Sequence, residues 1–478
     1  MSVTASVRAV LILATIAGLL LVVRLCPLLR RPGVAWAMRN DSIAYIRLAR
    51  GLATGCGFAP RFGEFCGPPE LMRTPGYPVF LAAMPSLRTA LVVQDTLGAG
   101  VCFLIGLFAW RQRGLLAGAM AESLLGFDIP SIVNSNVVMS DTLFASVIAV
   151  AILLQLVAIC EGTLEGRTVA AILGAGLLLG IAALVRPIGQ VLIIETPIPF
   201  IMFHRVSLRK RVVLMLLALC LPSVVLIGWL YRNYERRGIW TFSTVPALGV
   251  YAYQSAWVLA YDTGRSFDEV QAELIRTMPR LGNSKSRDMS SDRFDADPAY
   301  VNQSEDVWSR TYDADPVEME KRGTRIVLEH PWVLAVANFK GLLRTCFWVQ
   351  RYGLSYFFVS PRLDLGRDEA GLSVRRQLLS TLSYPWLSFL LIVEFALLTS
   401  IWIGVIIALA LTYRGRFKPI APILIPLCVA ILLLAASAAP WSEDRYRVPA
   451  MPMLAMIAAF GWDARVGHPT GDAQRDKS

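Results

Sequence analysis

Long apolar runs dominate this sequence, and several are long enough to cross a lipid bilayer as α-helices. A helix rises by about 1.5 Å per residue, so about 20 apolar residues span the hydrocarbon core. Hydrophobic residues make up 55% of the chain and charged residues only 17%, against about 25% in soluble domains. The sequence therefore predicts an all-α membrane protein, a polytopic bundle of helices.

The apolar runs divide the chain into three regions. About ten spanning helices are expected, at 7–29, 90–110, 115–127, 142–160, 169–185, 189–203, 212–231, 385–413, 419–438 and 448–462. An N-terminal transmembrane module covers 1–231 and contains a long first outer loop at 30–88. A second loop region covers 232–384, with an amphipathic helix near 317–347. C-terminal helices and a short tail cover 385–478.

The charges of the short loops predict the orientation. With a cytoplasmic N-terminus, most Lys and Arg of the short loops lie inside, whereas the outer short loops carry only Arg186, Arg445 and Arg447. This bias favours a multi-pass protein of the inner (plasma) membrane with both termini in the cytoplasm. The first outer loop is itself rich in arginine, but long loops follow the rule poorly. It also contains Cys56 and Cys66, which could form a disulfide in an extracytoplasmic loop.

The net charge of +11 comes from Lys and Arg in the loops between the predicted helices. The basic residues are spread over loops between helices and do not form one polar face, so we expect no nucleic-acid partner. Sequence signatures of phosphate loops, dinucleotide sites and zinc sites are absent, and the three His show no metal-ligand spacing. No metal site is predicted and no cofactor is identified, although a divalent cation is left open.

Polar clusters converge on the outer side in this topology. Ionisable residues at membrane depth are costly and tend to mark function. A carboxylate can accept a proton from a hydroxyl, and arginines can neutralise a phosphate. The candidate catalytic acids are Asp41 and Asp141. The candidate phosphate-binding residues are Arg73, Arg186, Arg232, Arg445 and Arg447. The candidate pocket residues are Tyr45, Tyr77, Asn233, His330 and Tyr446. Each also has a structural interpretation, as a helix cap, an interfacial anchor or a belt aromatic.

The order of these motifs resembles the GT-C superfamily of glycosyltransferases. Asp41 is followed by Pro-Gly-Tyr-Pro at 75–78, Ser140-Asp141 opens a helix, and Arg186-Pro187 ends a helix rich in Gly, Ala and Leu. A Trp-Leu-Tyr-Arg-Asn-Tyr string at 229–234, the His330-Pro331 pair and an Arg-Tyr-Arg-Val-Pro string at 445–449 follow. In this order they are similar to bacterial enzymes that resemble dolichyl-phosphate-mannose protein mannosyltransferases and the aminoarabinose transferases of lipid A.

The resemblance implies a GT-C type bundle with a catalytic first outer loop. Asp41 would be the general base, and Asp141 a second acid near the donor phosphate or a metal. The reaction would be an inverting transfer of a monosaccharide from a polyprenyl-phosphate donor to a glycolipid, polysaccharide or protein on the extracytoplasmic face. Protein mannosyltransferases carry an adjacent acidic pair where this chain has Asp41 alone, which argues against protein O-mannosylation.

The expected partners are therefore a polyprenyl-phosphate-linked sugar donor, membrane lipids and an acceptor glycan or glycolipid. Two other functions stay open from the sequence. A lipid or polysaccharide transporter or flippase would also combine many helices with intramembrane charge, but it would tend to show repeat symmetry, which this chain lacks. A polysaccharide ligase that uses a lipid-diphosphate donor would share the arginine-rich outer loops.

Overall fold

The computed structural model describes residues 3–39, 41–161, 165–201, 207–280, 314–348, 385–417, 420–440 and 442–466. Its α-helices, in chain order, are α1 (Val3–Arg30), α2 (Ser42–Ala53), α3 (Gly76–Ala82), α4 (Leu87–Arg113), α5 (Leu115–Gly126), α6 (Ile129–Ser135), α7 (Asp141–Glu161), α8 (Gly166–Val185), α9 (Ile198–Ile201), α10 (Leu208–Arg237), α11 (Val245–Leu248), α12 (Ser255–Thr263), α13 (Phe267–Arg276), α14 (Pro316–Glu329), α15 (Pro331–Phe347), α16 (Pro385–Tyr413), α17 (Ala421–Ala436) and α18 (Met451–Val466). Short 3₁₀ helices cover Ala35–Ala37, Pro187–Glu195 and Asp444–Ala450, and a π-helical segment covers Gly249–Gln254.

The predicted all-α membrane architecture is confirmed, but the number of spans is not. Among the described residues, six helices are long and apolar enough to cross a membrane, namely α1, α4, α7, α8, α10 and α16. Two further pairs, α5 with α6 and α14 with α15, pass the same test together but bend by 60° and 100°. The count is thus six to eight, rather than about ten.

Proline accounts for the largest differences from the predicted helices. Pro197 and Pro199 interrupt the predicted span at 189–203, whose described part, up to residue 201, forms a 3₁₀ helix followed by the four-residue α9. The predicted amphipathic helix at 317–347 is two helices, because Pro331 starts a new helix after His330. The helices α17 and α18 have 16 residues each, fewer than the about 20 that a full span needs.

Small residues let the spanning helices pack closely. A Cβ atom added to Gly118 of α5 would lie 2.8 Å from the carbonyl oxygen of Gly106 of α4, so a larger residue would push the two helices apart. Close backbone approach of this kind is the usual means of helix association in lipid. The pairs α4–α5, α7–α8 and α16–α18 make the most extensive helix contacts of the bundle.

The first loop and the second loop region form a smaller layer at one end of the bundle. Helices α11 to α14 and the π-helical segment pack around an apolar cluster that includes Leu248, Tyr251 and Met319. Met72 of the first loop belongs to the same cluster. The two loop regions are therefore packed together, although more than 170 residues separate Met72 from Leu248.

The first loop is closed by a covalent link. Strands β1 (Arg61–Phe62) and β2 (Phe65–Cys66) form a two-residue antiparallel hairpin, and Cys56 is bonded to Cys66 with the two Cα atoms 5.5 Å apart. The sequence left this disulfide open, and the structure contains it. Disulfides persist in oxidising compartments, so the bond agrees with an extracytoplasmic position of this loop.

Candidate active site

Asp41 lies immediately before α2 and is held by an arginine. Although Asp41 occupies the N-cap position of α2, its side chain makes no capping hydrogen bond. Instead, Arg73 donates a hydrogen bond from Nη2 to Asp41 Oδ1 at 3.0 Å. The side chain of Asp41 remains 29% exposed, whereas that of Arg73 is only 6% exposed. The carboxylate is thus oriented from one side and open to a ligand on another.

A second acid–arginine pair lies beside the first. Asp141 is the first residue of α7, and Arg186 follows the last residue of α8. Because α7 and α8 are consecutive helices that pack side by side, the start of one and the end of the other meet at the same end of the bundle. The two side chains form an ion pair in which Asp141 is fully buried and Arg186 is 18% exposed.

Two tyrosines, Tyr45 and Tyr77, pack beside the two acid–arginine pairs. The hydroxyl of Tyr45, on α2, lies 3.3 Å from Ser140 Oγ, next to Asp141. The ring of Tyr45 lies beneath the guanidinium of Arg73 and packs edge-on against Tyr77, with ring centroids 4.9 Å apart. Tyr77 is fully buried. The packing therefore fixes α2 against α3 directly below the two acids.

A third wall comes from segments far apart in the chain. Arg445 is 27% exposed and donates from Nη2 to the hydroxyl of Tyr446 at 3.1 Å. Its Nε lies 3.5 Å from Oε2 of Glu443. Tyr253, in the π-helical segment, faces the same space: after burial, the negative charge of Asp41 is the main cause that raises the pKa of Tyr253. Arg445 lowers that pKa.

These charges set the protonation of the site at neutral pH. Burial alone would raise the pKa of Asp41, but Arg73, Arg445 and Arg186 outweigh it and bring the pKa below its usual value. Burial and the charge of Asp41 raise the pKa of Tyr45. Burial would lower the pKa of Arg186, but the charge of Asp141 raises it overall. Asp41 is therefore ionised, while Tyr45 is neutral and Arg186 charged.

The structure thus brings eight of the predicted residues together, namely Asp41, Tyr45, Arg73, Tyr77, Asp141, Arg186, Arg445 and Tyr446. The other four lie in separate contacts. Arg232 donates to the carbonyl oxygens of Glu70 and Phe58, at 2.7 and 2.9 Å. Asn233 donates to the carbonyl oxygen of Thr241 at 2.8 Å. Arg232 also donates to Oδ1 of Asn233 at 2.9 Å, so both side chains are engaged with the backbone and with each other, and not with the two acids.

Arg447 and His330 also lie apart from the acids. Arg447 is buried, pairs with Glu394 of α16 and donates to the carbonyl oxygen of Trp348 at 2.7 Å. His330 separates α14 from α15, and its Nδ1 lies 3.8 Å from Oδ1 of Asp262. Neither side chain faces the space between Asp41 and Arg445.

Three residues of this region were missed from the sequence. Glu70, three residues before Arg73, accepts hydrogen bonds from the backbone N–H groups of Met72 and Arg73. Gln94, inside α4, accepts from the hydroxyl of Tyr77 and donates to backbone carbonyls at 135 and 137. Its polar side chain in an apolar run was the available signal, because such residues are costly in a membrane. Tyr253 has no comparable signal, since aromatic residues are common in loops and helices alike.

In the described part of the chain, no three His, Cys, Asp or Glu side chains group together in a way that could hold a metal ion. The acids of the site are each paired with an arginine instead, Asp41 with Arg73 and Asp141 with Arg186.

Comparison with known proteins finds no matching family model and no matching curated protein. Solved structures do match. The archaeal oligosaccharyltransferase AglB from Archaeoglobus fulgidus, in complex with an inhibitory peptide and a dolichol-phosphate, is 14% identical, with a TM-score of 0.47 over 95% of this chain and 50% of its own. ArnT from Cupriavidus metallidurans, bound to undecaprenyl phosphate, is also 14% identical, with a TM-score of 0.37 over 97% of this chain and 78% of its own.

The chain thus spans half the length of the archaeal enzyme. Identities of 14% leave the activity of this chain to be inferred from its own site.

Proposed function

We propose that this protein is an inverting glycosyltransferase that moves a monosaccharide from a polyprenyl-phosphate donor to a hydroxyl of a glycolipid or polysaccharide. The observation that carries the proposal is the meeting of an ionised Asp41 with Arg73, Arg186 and Arg445 at one end of a helical bundle. A lipid-carried sugar phosphate presents its phosphate near the membrane surface, and Asp141 and Arg186 lie at the ends of the spanning helices α7 and α8. The site combines the base and the cations that such a transfer requires.

The arginines of the site suit the phosphate of a lipid-linked donor. Arg73, Arg186 and Arg445 lie around Asp41 and Asp141, and Glu443 lies beside Arg445, so three guanidinium groups face three carboxylates. The phosphodiester of a polyprenyl-phosphate sugar carries one negative charge. When the sugar leaves, the phosphate gains further negative charge, which the arginines stabilise more strongly than that of the intact donor. Differential stabilisation of this kind lowers the barrier.

In the proposed step, the acceptor oxygen attacks C1 of the donor sugar while the bond from C1 to the phosphate oxygen breaks. The bonding electrons go to the phosphate, and the acceptor proton goes to Asp41. A single displacement inverts the configuration at C1.

The topology supports an extracytoplasmic site. The disulfide between Cys56 and Cys66 lies in the same loop as Asp41 and Arg73, and disulfides are kept in oxidising compartments. The lysines and arginines of the short loops favour cytoplasmic termini. We therefore place the protein in the inner (plasma) membrane, with both termini inside and the site outside.

The proposal is tested by sugar transfer in proteoliposomes that contain the purified protein and radiolabelled polyprenyl-phosphate sugars. The wild type is compared with Asp41→Asn and with a matched control, Asp268→Asn, which changes an exposed acid in the first turn of α13. We expect transfer by the wild type and the control, and a loss of about 10²- to 10⁴-fold in Asp41→Asn.

Other outcomes identify the alternatives. Wild-type transfer by Asp41→Asn would refute the assignment of the base. Transfer only from lipid-diphosphate donors would indicate a polysaccharide ligase. Movement of labelled lipid across the bilayer without sugar transfer, by folded protein, would indicate a flippase.

A further inference from the structure

The first loop lacks extended secondary structure around Arg73, so other bonds must hold this residue in place. Between α2 and α3 the only regular elements of the described loop are the two strands of two residues each. Arg73 nevertheless has a side chain that is 6% exposed and makes a 3.0 Å hydrogen bond to Asp41. A buried and oriented arginine on an irregular segment needs specific backbone contacts.

Glu70 provides the nearest of these contacts. Its side chain is fully buried. Oε1 accepts hydrogen bonds from the backbone N–H of Met72 at 2.6 Å and from that of Arg73 at 3.1 Å. The carboxylate thereby fixes the direction in which the chain leaves residue 70. It also fixes the backbone atom from which the side chain of Arg73 starts.

Arg232 fixes Glu70 in turn, from a spanning helix. Nη1 of Arg232, near the end of α10, donates to the carbonyl oxygen of Glu70 at 2.7 Å. Nη2 donates to the carbonyl oxygen of Phe58 at 2.9 Å, and that oxygen also accepts from the backbone N–H of Glu70. The guanidinium lies over the ring of Phe58, 5.3 Å from its centroid, and over that of Trp229 at 4.9 Å. The planar guanidinium of Arg232 therefore joins two segments of the loop, at Phe58 and at Glu70, to α10.

We propose that Glu70 and Arg232 are positioning residues that together hold Arg73 in the orientation in which it meets Asp41 and the donor phosphate. We call Phe58, Glu70 and Arg232 the loop anchor. This inference rests on the proposed function, because Arg73 is there assigned to the phosphate. It replaces the expectation that Arg232 itself binds the phosphate, since the guanidinium of Arg232 is engaged with two backbone carbonyls.

The chemistry of Glu70 allows two contrasting substitutions. In Glu70→Gln, an amide oxygen still accepts from the two backbone N–H groups. In Glu70→Leu, a side chain of similar size leaves both groups without their acceptor in a buried place. Unpaired buried donors are unfavourable, so the backbone at 72 and 73 should move and carry the side chain of Arg73 with it.

The test measures kcat and the KM for a polyprenyl-phosphate sugar in the wild type, Glu70→Gln, Glu70→Leu, Arg73→Gln and the double variant Glu70→Leu/Arg73→Gln. We expect Glu70→Leu to raise the donor KM by about tenfold or more, and Glu70→Gln by less than about threefold. Glu70→Leu should have no further effect on the donor KM once Arg73 is replaced, because residues that act through one another are not additive. Equal effects in both backgrounds, or an unchanged donor KM in Glu70→Leu, would overturn the proposal.

A second measurement separates failure of this inference from failure of the proposed function. Hydrogen exchange of the peptide that contains Met72 and Arg73 requires no substrate. We expect faster exchange in Glu70→Leu than in Glu70→Gln, with the disulfide of the loop intact in both. If exchange is faster in Glu70→Leu but the wild type transfers no sugar, the transferase proposal is refuted, whereas the role of Glu70 in holding the loop is supported. Unchanged exchange in Glu70→Leu would refute the anchor whatever the activity.

Discussion

Arg445 and Arg447 are two residues apart, but we expect substitution of Arg447 to lower the stability of the fold and substitution of Arg445 to weaken donor binding. Arg447 is 1% exposed and pairs with Glu394, which is fully buried, while Asp128 lies 3.8 Å from its Nη2. Arg447→Leu leaves these acids without their cation in a place that water does not reach. Removal of one partner from a buried ion pair typically costs about 3–5 kcal/mol, so we expect a large loss of stability.

A second substitution should restore part of that loss. In Arg447→Leu/Glu394→Leu both charges of the pair are replaced by apolar side chains, a change that is often neutral or stabilising. Asp128 still accepts from the backbone N–H and the hydroxyl of Ser131, but it lacks its cation, and the backbone N–H of Ile129 loses its acceptor, Glu394. The double variant should therefore be more stable than Arg447→Leu and less stable than the wild type.

Arg445→Leu should act on the substrate instead. Arg445 is partly exposed and lies at the site with Tyr446 and Glu443. Loss of a charge-assisted hydrogen bond costs about 1.5–3 kcal/mol, which corresponds to a rise of about tenfold to 150-fold in the donor KM. The fold should be little affected, since Glu443, the acid that pairs with this arginine, is exposed, and Asp141 keeps its own ion pair with Arg186.

The assay is thermal unfolding of the purified protein in detergent, together with the donor KM of each variant that folds. We expect a lowered Tm for Arg447→Leu alone and a raised donor KM for Arg445→Leu alone. A stable Arg447→Leu variant with a raised donor KM would show that Arg447 binds the phosphate, and would refute the reasoning. A double variant with Glu394→Leu that is as unstable as Arg447→Leu would show that the ion pair is not the cause.

Three further predictions follow from the site and its loop. Arg73 lowers the pKa of Asp41, which lies below its usual value although burial alone would raise it. The acidic limb of kcat/KM should therefore move to higher pH in Arg73→Gln, and a pH profile that does not move would contradict the pairing. Tyr253→Phe removes a hydroxyl that faces Asp41 from the π-helical segment, so the acceptor KM should rise while the donor KM stays the same; a rise in the donor KM alone would place Tyr253 at the phosphate instead. Cys56→Ser opens the link to Cys66, and a loop of this length contributes about 2–3 kcal/mol, so thermal unfolding should shift to lower temperature; an unchanged Tm would mean that the surrounding contacts hold the loop without the disulfide.

The long spans could be predicted from the sequence because each is one uninterrupted apolar run. The helices α1, α4, α7, α8, α10 and α16 all lie over predicted runs. The predictions fail at 187–201, which contains three prolines, and at His330-Pro331, whereas the single prolines within α1 (Pro27) and α10 (Pro222) do not end those helices. Apolarity indicates that a segment is buried in lipid or protein, whereas the hydrogen-bond pattern of the backbone decides whether it is one helix.

The polar residues of this region could be identified from the sequence, but which of them meet at the site could not. Asp41 and Arg73 share one loop, and Asp141 and Arg186 mark the same end of two neighbouring helices, so topology alone places each pair. Arg445 and Arg447 differ because the Asp444–Ala450 segment is a 3₁₀ helix, in which about three residues make a turn. Residues two apart then point in different directions, which residue type does not reveal.

The exposures of the side chains also indicate how the two substrates could reach the proposed site. Arg73 and Asp141 are nearly or fully buried, so the first loop and the α7–α8 pair close two sides. The groups that remain open are Asp41 at 29%, Arg445 at 27% and Arg186 at 18%. Since the base must touch the acceptor, we infer that the acceptor enters at the exposed edge of Asp41, beside Tyr253. Because Arg186 follows the last residue of a spanning helix and Arg445 lies at the same site, we infer that the donor phosphate approaches these two arginines from the membrane side.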